Sequence, residues 1–438
     1  MMHESFSFIT LGCPKNEVDS NKMKTKLLNA GYIFAEDQDK ADAVIVNTCS
    51  FLTSAVEESL DVILSLVDAE NFPDRKIIVA GCMPSRYGES LNDELPEVAA
   101  FVSTHEENAI VDIFNKLFNE GAQEQENSIR TDEQQPYAYV KISDGCDRFC
   151  SYCMIPFIRG RYHSFALQDI LDEVSELVAG GIQEIIFIGQ DTGIWGNDFE
   201  EKQTIVDLLA AASRKFPETW FRLLYIQPEG ITDELLTLMS EQENICAYLD
   251  IPFQHVDSDL LKSMNRCGSR DEYSNLLKHI RSFDSKFSIR TTFMSGFPGE
   301  SQEQHDELIS FIDENPFDFS GVFIFSPEDG TKAAKMDCQI DEDVKVKRAQ
   351  EVQDACEAGG FALASSHCGE RIEVIIEASE ETSCGIELLA RAQFQAPDID
   401  GQVHIPVENP QDYMVGEHLF VTITDSFCFE LIGEIIDD

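Results

Sequence analysis

Apolar runs alternate with helix-spaced apolar positions along residues 5–120. The runs FSFITLGC, ADAVIVNTC and RKIIVAGC predict strands, and the segments between them carry the spacing of amphipathic helices. Strands that alternate with helices indicate a parallel sheet covered by helices. Each predicted strand ends at a cysteine, namely Cys13, Cys49 or Cys82. Because ligands of open α/β sheets bind at the carboxyl ends of the strands, three cysteines there could meet at one point.

The same alternation returns in residues 136–365, after a polar, aperiodic segment at 121–135 that we interpret as a linker. The six strand candidates are YVKI, EIIFIG, FRLLYI, AYLDI, FSIRTTFM and GVFIFS, with helical patterns between them. Six βα units predict a (β/α)6-type partial barrel, and the chemistry of such a barrel is expected at the carboxyl ends of its strands.

The pattern changes again in residues 366–438, where five short strands are separated by turn residues. This spacing predicts a small closed antiparallel β-barrel. The expected fold class is therefore α/β multidomain, with an N-terminal parallel α/β sheet domain (5–120), the linker (121–135), the central partial barrel (136–365) and the C-terminal β-barrel (366–438).

A cysteine-rich loop follows the first predicted barrel strand and reads GCDRFCSYCMIPFIRGR. It places Cys146, Cys150 and Cys153 at the spacing C-x3-C-x2-C. Iron–sulfur cubanes are held by thiolates, so three protein thiolates leave one of four irons open for another ligand. Structural zinc takes four ligands, and the ferredoxin spacing is different. The spacing therefore favours an open-iron cluster over three core cysteines that lie close together by chance.

The composition narrows the choice of compartment. Thirteen cysteines are an odd number, and the N-terminus MMHESFSFITLGC lacks the features of a signal peptide. A disulfide framework is therefore not expected, and we predict a cytoplasmic protein. No stretch approaches the roughly 20 apolar residues of a membrane span, so no membrane partner is expected. We interpret the seven cysteines outside the two triads as core or incidental thiols.

The cysteine loop resembles the cluster motif of the radical S-adenosylmethionine (radical SAM) superfamily, including the aromatic Tyr152 before the last cysteine. The resemblance implies a 4Fe–4S cluster on Cys146, Cys150 and Cys153. Its open iron would bind S-adenosylmethionine, and electron transfer would release a 5′-deoxyadenosyl radical. Candidate residues of the S-adenosylmethionine pocket are Tyr152, Gln190 in the strand-end segment IGQD, and Arg290 in RTTFMSGFPGES.

The resemblance extends to the methylthiotransferases. The segments LGCPKNEVDS, VNTCSF and AGCMPSRYG are similar to the three cysteine segments of that family. Membership would imply a second, auxiliary 4Fe–4S cluster on Cys13, Cys49 and Cys82 that handles sulfur, and a C-terminal barrel of the TRAM type. One S-adenosylmethionine would methylate sulfur on the auxiliary cluster, and a second would yield the radical. No residue is predicted as a catalytic acid or base.

Methylthiotransferases modify either an adenosine in transfer RNA or an aspartate in a small-subunit ribosomal protein. Residues 366–438 hold two basic and sixteen acidic residues, in a chain of formal net charge −49. Such a barrel repels phosphates and attracts a basic protein, although uniform acidity also fits a role in solubility. GCPKN and IPFIRGRYHSF are similar to the ribosomal-protein branch, whose motif is expected to end in Ser-Arg where this chain has Ser164 and Phe165.

These features predict methylthiolation of the β-carbon of an aspartate in a basic small-subunit ribosomal protein, either free or in the ribosome. The reaction would need an external electron donor and a sulfur source, and tRNA is an unlikely partner. Two alternatives stay open: a tRNA adenosine methylthiotransferase, and a non-catalytic iron–sulfur carrier or scaffold. Arg159 and Arg161, beside the cysteine loop, are equally compatible with binding a cofactor or substrate carboxylate and with structural ion pairs.

Overall fold

A computed structural model describes residues 4–67, 75–118, 135–283, 286–383 and 385–436. These residues form two compact units. The first unit comprises the described part of Met1–Thr131 together with Asp144–His163 and Glu328–Thr331. The second unit comprises the described parts of Asp132–Ser143, Ser164–Pro327 and Lys332–Asp438. The predicted linker at 121–135 lies, except for its last residue, outside the described residues.

A five-stranded parallel sheet forms the centre of the first unit, as the sequence predicted. Its strands lie in the order β2-β1-β3-β4-β5. The strands are β1 Ser5–Thr10, β2 Ile33–Phe34, β3 Ala43–Thr48, β4 Lys76–Gly81 and β5 Ala100–Ser103. The helices are α1 Pro14–Asn29, α2 Thr53–Val67, α3 Cys82–Tyr87, α4 Ser90–Glu94 and α5 Ile110–Phe118, with α6 Ile155–Ile158 in the cysteine loop.

Each face of this sheet packs in a separate core, because neighbouring residues of a strand point to opposite faces. Ile45 packs with residues of α1 and α5, including Leu27 and Phe114. The adjacent Val44 and Val46 pack in the other core, which contains residues of α2. All of these strand side chains are fully buried, so the near-continuous apolar runs of the sequence belong to a sheet covered on both faces.

The second unit contains six parallel strands that follow one another in chain order. They form two three-stranded sheets, and the bridge between Phe221 and Ile245 lies where one sheet continues towards the other. The strands are β6 Tyr137–Lys141, β9 Glu184–Ile188, β10 Trp220–Leu223, β11 Tyr248–Gln254, β12 Ser288–Ser295 and β13 Phe319–Ile324. Two short strands, β7 Ser143–Asp144 and β8 His163–Ser164, bracket the cysteine loop in the sequence.

Helices connect these strands, as expected for a (β/α)6-type arrangement. They are α7 Leu167–Ala179, α8 Ile205–Lys215, α9 Asp233–Glu241, α10 Ser258–Ser263, α11 Arg270–Phe283, α12 Gln302–Glu314 and α13 Glu342–Ser366. Sequence-local signals fix the starts of α8 and α12, where Thr204 and Ser301 each form a capping box with the residue three positions later. No helix among the described residues is long and apolar enough to cross a membrane.

The C-terminal part of the second unit is a closed five-stranded barrel in the order β14-β15-β16-β18-β17. Its strands are β14 Arg371–Thr382, β15 Gly385–Ala392, β16 Val403–Val407, β17 His418–Phe427 and β18 Glu430–Ile435. Alternate side chains such as Leu388, Ala390 and Ala392 fill its interior. The three-part α/β architecture predicted from the sequence is confirmed.

A loop of this small barrel, residues 393–402, is bonded to the starts of the parallel strands. The Asp398 carboxylate accepts hydrogen bonds from the hydroxyls of Tyr137 and Tyr139 at 3.0 and 3.1 Å. The Asp400 carboxylate accepts from the Tyr248 hydroxyl at 2.7 Å and pairs with Arg290 at 2.8 Å. These contacts fix the small barrel at the amino ends of the strands.

Candidate functional site

The first cysteine triad lies at the carboxyl edge of the first unit's sheet. Strands β1, β3 and β4 are neighbours, with Thr10 opposite Asn47 and Thr48 opposite Gly81. Cys49 and Cys82 follow β3 and β4 directly, and Cys13 comes three residues after β1. Because the three strands are parallel and adjacent, their cysteines are brought to one edge. That the three thiols bind one shared cluster there stays a prediction.

Glycines precede two of these cysteines because no larger residue fits. Gly12 has a φ of +97°, and a Cβ on it would lie 2.6 Å from Cys49 Cβ. Gly81 has a φ of +90°, and a Cβ would lie 2.1 Å from the side-chain oxygen of Asn47. Contacts this short force a displacement, and positive φ disfavours side chains independently. The sequences LGC and AGC therefore encode a close approach of the three strand ends.

Two buried asparagines bond these strand ends together. Asn16 donates from its amide to the carbonyl oxygens of Leu11 at 2.8 Å and Thr48 at 3.0 Å. Asn47 donates to the Asn16 carbonyl at 2.8 Å and to Ser20 Oγ at 2.9 Å. Sequence reasoning did not single out either asparagine, although each lies within two or three positions of a triad cysteine in the quoted motifs.

The geometry around the triad also includes a buried ion pair. Arg159, from the second cysteine loop, pairs with Asp19 at 3.0 Å and with Asp144 at 3.3 Å. Its Nη2 also lies 2.8 Å from Asn16 Oδ1 and 3.9 Å from Cys82 Sγ. Of the two roles that the sequence left open for Arg159, the structure therefore shows the ion pair. It also places the guanidinium against a predicted cluster ligand.

Burial controls the protonation of the triad in the absence of metal. Burial raises the pKa of Cys82 to about 12, and the nearby Arg159 charge offsets only part of that effect. Burial likewise raises the pKa of Cys49. Thiolates are the form that binds metal, so loading this site releases protons. Cys13, in contrast, is exposed.

The donor set fits an iron–sulfur cluster better than a single ion. No group of three or more His, Cys, Asp or Glu within the described ranges converges as the ligands of one metal ion do. A cubane differs because each thiolate binds a different iron, so the sulfurs stay apart around the cluster. None of the twelve cysteines in the described part of the chain forms a disulfide. Three thiols at one sheet edge are therefore compatible with the auxiliary cluster that the resemblance implies.

The second triad lies in a loop that closes on itself. The Cys146 N–H donates to the Gly160 carbonyl at 3.1 Å, so the two ends of the loop are adjacent. A Cβ on Gly145 would lie 2.1 Å from the Arg161 carbonyl oxygen, and Gly145 has a φ of +72°. Phe149 has a φ of +50°, an unusual conformation for a non-glycine residue. Such strain is typical of functional loops.

Hydrogen bonds and packing orient the cysteines of this loop. The Cys153 N–H donates to the Cys150 carbonyl at 3.1 Å, and the Ile155 N–H donates to Cys153 Sγ at 3.4 Å. Met154, the next residue, packs with Ile158 and with Cys82 of the first triad in a small buried cluster. Both triads therefore belong to the same compact unit. Sequence reasoning had assigned this loop to the central barrel.

A third segment, Glu328–Thr331, completes the first unit. The Glu328 carboxylate accepts from the Thr53 N–H, at the start of α2, at 2.8 Å. It also pairs with Arg86 at 3.1 Å, and both side chains are almost fully buried. Arg86 in turn donates to the Ser50 carbonyl, next to Cys49. The sequence contained no signal for this long-range anchor.

Several buried polar groups at the carboxyl ends of strands in the second unit have no hydrogen-bond partner in the part of the chain that the structure describes. Gln190 follows β9, and both polar atoms of its amide are buried with no hydrogen-bond partner among the described residues. Ser295 Oγ at the end of β12 and His255 Nε2 after β11 share this property. Buried polar atoms are nearly always bonded, so these groups are positioned to bind a ligand or water. Gln190 therefore remains a candidate for the S-adenosylmethionine pocket.

The other two predicted cofactor contacts are placed differently. Arg290 is the third residue of β12, near its amino end, where it pairs with Asp400 at 2.8 Å. Its position at the opposite end of the strands from Gln190 does not support a contact with S-adenosylmethionine. Tyr152 lies half-buried in the turn between Cys150 and Cys153, and its assignment stays a prediction.

Three family models match successive parts of the chain. The model described as "Uncharacterized protein family UPF0004" matches residues 5–103, the radical SAM superfamily model matches residues 140–312, and the TRAM domain model matches residues 368–436. The predicted domain order agrees with these matches, while the exact boundaries stay a prediction.

Relatives that match the chain over its full length decide which family it belongs to. A ribosomal protein uS12 methylthiotransferase RimO of Geotalea uraniireducens is 39% identical over 99% of this chain and 98% of its own length. The chain belongs to the RimO methylthiotransferase family. A second member, from Geobacter sulfurreducens, is also 39% identical over 99% of both chains. Membership in the RimO family and the radical SAM match confirm the predicted enzyme class and the predicted cofactors, 4Fe–4S clusters and S-adenosylmethionine.

Solved structures support the same fold at lower similarity. The radical SAM methyltransferase TsrM of Kitasatospora setae, with cobalamin and a 4Fe–4S cluster bound, aligns with a TM-score of 0.57 at 13% identity. The alignment covers 74% of this chain and 72% of TsrM. The cobalamin-dependent radical enzyme OxsB aligns with a TM-score of 0.51 over 80% of this chain and 56% of its own. At these identities the likeness extends to the fold alone.

Proposed function

We propose that this RimO-family chain attaches a methylthio group to the β-carbon of an aspartate in ribosomal protein uS12. The reaction consumes two molecules of S-adenosylmethionine and uses two 4Fe–4S clusters. One observation carries the proposal: two sets of three cysteines lie in one compact unit of a chain that matches uS12 methylthiotransferases over its full length. A carrier or scaffold needs neither a second triad nor a radical SAM barrel.

The cysteines divide between the two clusters according to their segments. Cys146, Cys150 and Cys153 would hold the radical SAM cluster, and the sheet-edge triad would hold the auxiliary cluster. When bound, these clusters and S-adenosylmethionine supply electron transfer, radical chemistry and sulfur.

The polypeptide itself holds the clusters and S-adenosylmethionine, orients them and excludes water from them. The closed loop around Gly145 fixes the three cysteines of the second triad relative to one another. The Gln190 amide, buried and without a partner among the described residues, is positioned to hold a polar group of S-adenosylmethionine. Apolar packing of Met154 and Ile158 on Cys82 keeps that side of the auxiliary site dry, which limits quenching of reactive species by solvent.

The C-terminal barrel favours a protein substrate over RNA. Of its two arginines, Arg391 is 1% exposed and pairs with Glu184 and Glu377. Arg371 is exposed, but its guanidinium lies 4.5 Å from the Phe420 ring centroid. The sequence of 366–438 contains sixteen acidic residues, and Arg371 is the one arginine in it that is exposed. Phosphate backbones are bound by basic groups, so this barrel attracts a lysine- and arginine-rich protein and repels tRNA.

Turnover requires partners of defined chemistry. The radical SAM cluster held by Cys146, Cys150 and Cys153 would need an external electron donor, and the sulfur given to the substrate would need a sulfur source. We place the enzyme in the cytoplasm, where uS12 would be met either free or in the small subunit.

Mass spectrometry of uS12 tests the proposal. Ribosomes from cells with and without this gene are digested, and one aspartyl peptide of uS12 is expected to carry a methylthio mass shift only when the gene is present. Complementation with Cys150→Ala should not restore the shift. The matched control, Cys267→Ala, removes an exposed cysteine outside both triads and should restore it. Unmodified uS12 in cells with the active gene would contradict the proposal.

A mobility-shift assay separates the tRNA alternative. Because the barrel is acidic, we expect no salt-sensitive binding of bulk tRNA at low ionic strength, and measurable binding of isolated uS12. Strong tRNA binding that weakens steeply with salt would support the tRNA reaction instead.

A further inference from the structure

A buried arginine links the second cysteine loop to the first triad. The Arg159 side chain is 1% exposed. Both terminal nitrogens donate to the Asp19 carboxylate at 3.0 Å. Because one oxygen, Asp19 Oδ2, accepts both bonds, it lies between the two nitrogens and orients the guanidinium, with Nη2 3.9 Å from Cys82 Sγ. The Cys82 thiol also lies 3.8 Å from Asn16 Oδ1, which itself accepts from Nη2.

Burying the Arg159 guanidinium has an energetic cost, which suggests that the buried position has a specific role. Removing a guanidinium from water is unfavourable until its partners compensate. A neighbouring arginine on the same loop shows the cheaper arrangement: Arg161 pairs with Asp147 at 3.1 Å while the two side chains are 74% and 50% exposed. Arg159 has no such surface partner, because even its second carboxylate, Asp144 at 3.3 Å, is only 13% exposed. Instead its charge lies beside the most buried cysteine of the triad.

We propose that Arg159 is a positioning residue that tunes the auxiliary cluster through the Cys82 sulfur. The inference rests on the proposed function, because it requires a cluster on Cys13, Cys49 and Cys82. Hydrogen bonds to cluster sulfurs and nearby charges set reduction potentials. A cation stabilises the reduced cluster, which carries one more negative charge, so Arg159 raises the potential. The Asp19 carboxylate opposes that effect and holds the guanidinium in place.

Redox titration of the auxiliary cluster alone tests this role. The full-length chain carrying C146A, C150A and C153A keeps only the first triad and is reconstituted anaerobically. Electron paramagnetic resonance then follows its one-electron reduction by dithionite in the presence of mediators. Four further substitutions are compared in this background: R159Q, R159K, D19N and the matched surface control R161Q.

The expected shifts differ in sign. R159Q removes the charge and should shift the equilibrium about tenfold towards the oxidised cluster, which lowers the potential by about 59 mV for a one-electron couple. R159K keeps the positive charge but lacks the paired nitrogens of the guanidinium, so it should shift the potential less than R159Q does. D19N removes the opposing carboxylate and should raise the potential. R161Q, which replaces an exposed arginine on the same loop, should leave the potential unchanged.

The outcomes separate the inference from the proposed function. Equal potentials in R159Q and R161Q, or shifts of the same sign in R159Q and D19N, would overturn the role of Arg159 alone. A triple-cysteine variant that binds no iron would overturn the proposed function together with the inference. R159K and D19N preserve charge or shape, so they keep the test decisive if circular dichroism shows that R159Q does not fold.

Discussion

The close approach of Gly12 to Cys49 leads to a specific prediction for the auxiliary site. In Gly12→Ala, the new Cβ meets Cys49 Cβ at 2.6 Å at a φ of +97°. Gly88→Ala is a matched control in the same unit, because Gly88 also has positive φ (+58°), and no atom of the described residues lies within 4 Å of a Cβ placed there. Both variants carry the backbone penalty of about 1–3 kcal/mol, whereas only Gly12→Ala carries the clash.

The clash sets the size of the expected difference. Forcing an extra methyl into a packed site costs about 1–3 kcal/mol, so Gly12→Ala should be less stable than Gly88→Ala by that amount. The displacement also moves Cys49 relative to its two partners. Thermal unfolding measures the stability, and iron analysis after anaerobic reconstitution measures the cluster. Gly88→Ala should keep the iron of both clusters, and Gly12→Ala should lose the iron of the auxiliary cluster.

The control determines how this result is interpreted. If Gly12→Ala matches Gly88→Ala in both iron content and stability, the three strand ends do not need the close approach seen here. The assignment of Cys49 to a shared site with Cys13 would then lose its main structural support.

Three further predictions concern the supporting structure. Glu328→Gln should lower the free energy of unfolding of the first unit by about 1–3 kcal/mol, because a buried charged hydrogen bond is lost, and urea denaturation measures this change. Arg391→Met should lower the free energy of unfolding by about 3–5 kcal/mol, because it leaves Glu184 buried with one arginine fewer. Arg371→Met removes an exposed side chain and should lower it by less than about 1 kcal/mol. Equal midpoints of the two variants in thermal unfolding would contradict this contrast. Burial lowers the pKa of His255 to about 4, so its contribution to stability is complete above pH 6.5 and is lost as the pH falls towards 4. Between pH 6.5 and 5 that loss is about 2 kcal/mol, and His255→Asn should flatten this part of the stability profile; an unchanged slope would exclude the histidine as its cause.

Local sequence patterns were sufficient for much of the fold. Apolar runs that end at a cysteine located three strand ends of the first unit, because parallel strands bring their carboxyl ends to one edge whatever the details of packing. The C-x3-C-x2-C spacing similarly identified the second triad. These features depend on residues close together in the chain, which is why the sequence alone revealed them.

Long-range partners were not predictable in the same way. Nothing near Arg159 in the sequence indicates that its partner is Asp19, 140 positions earlier. Glu328 reaches Thr53 across 275 positions. The predicted strand FSIRTTFM already contained Arg290 near its start, but the pairing of Arg290 with Asp400 depends on how the small barrel docks. Such pairings are decided by tertiary packing.

Iron counting tests the central claim, that two triads hold two independent open-iron clusters. Anaerobically reconstituted protein should contain about eight irons per chain, since each cubane has four. Cys150→Ala and Cys82→Ala should each contain about four. A wild-type protein with about four irons, or a single substitution that removes both clusters together, would contradict the account.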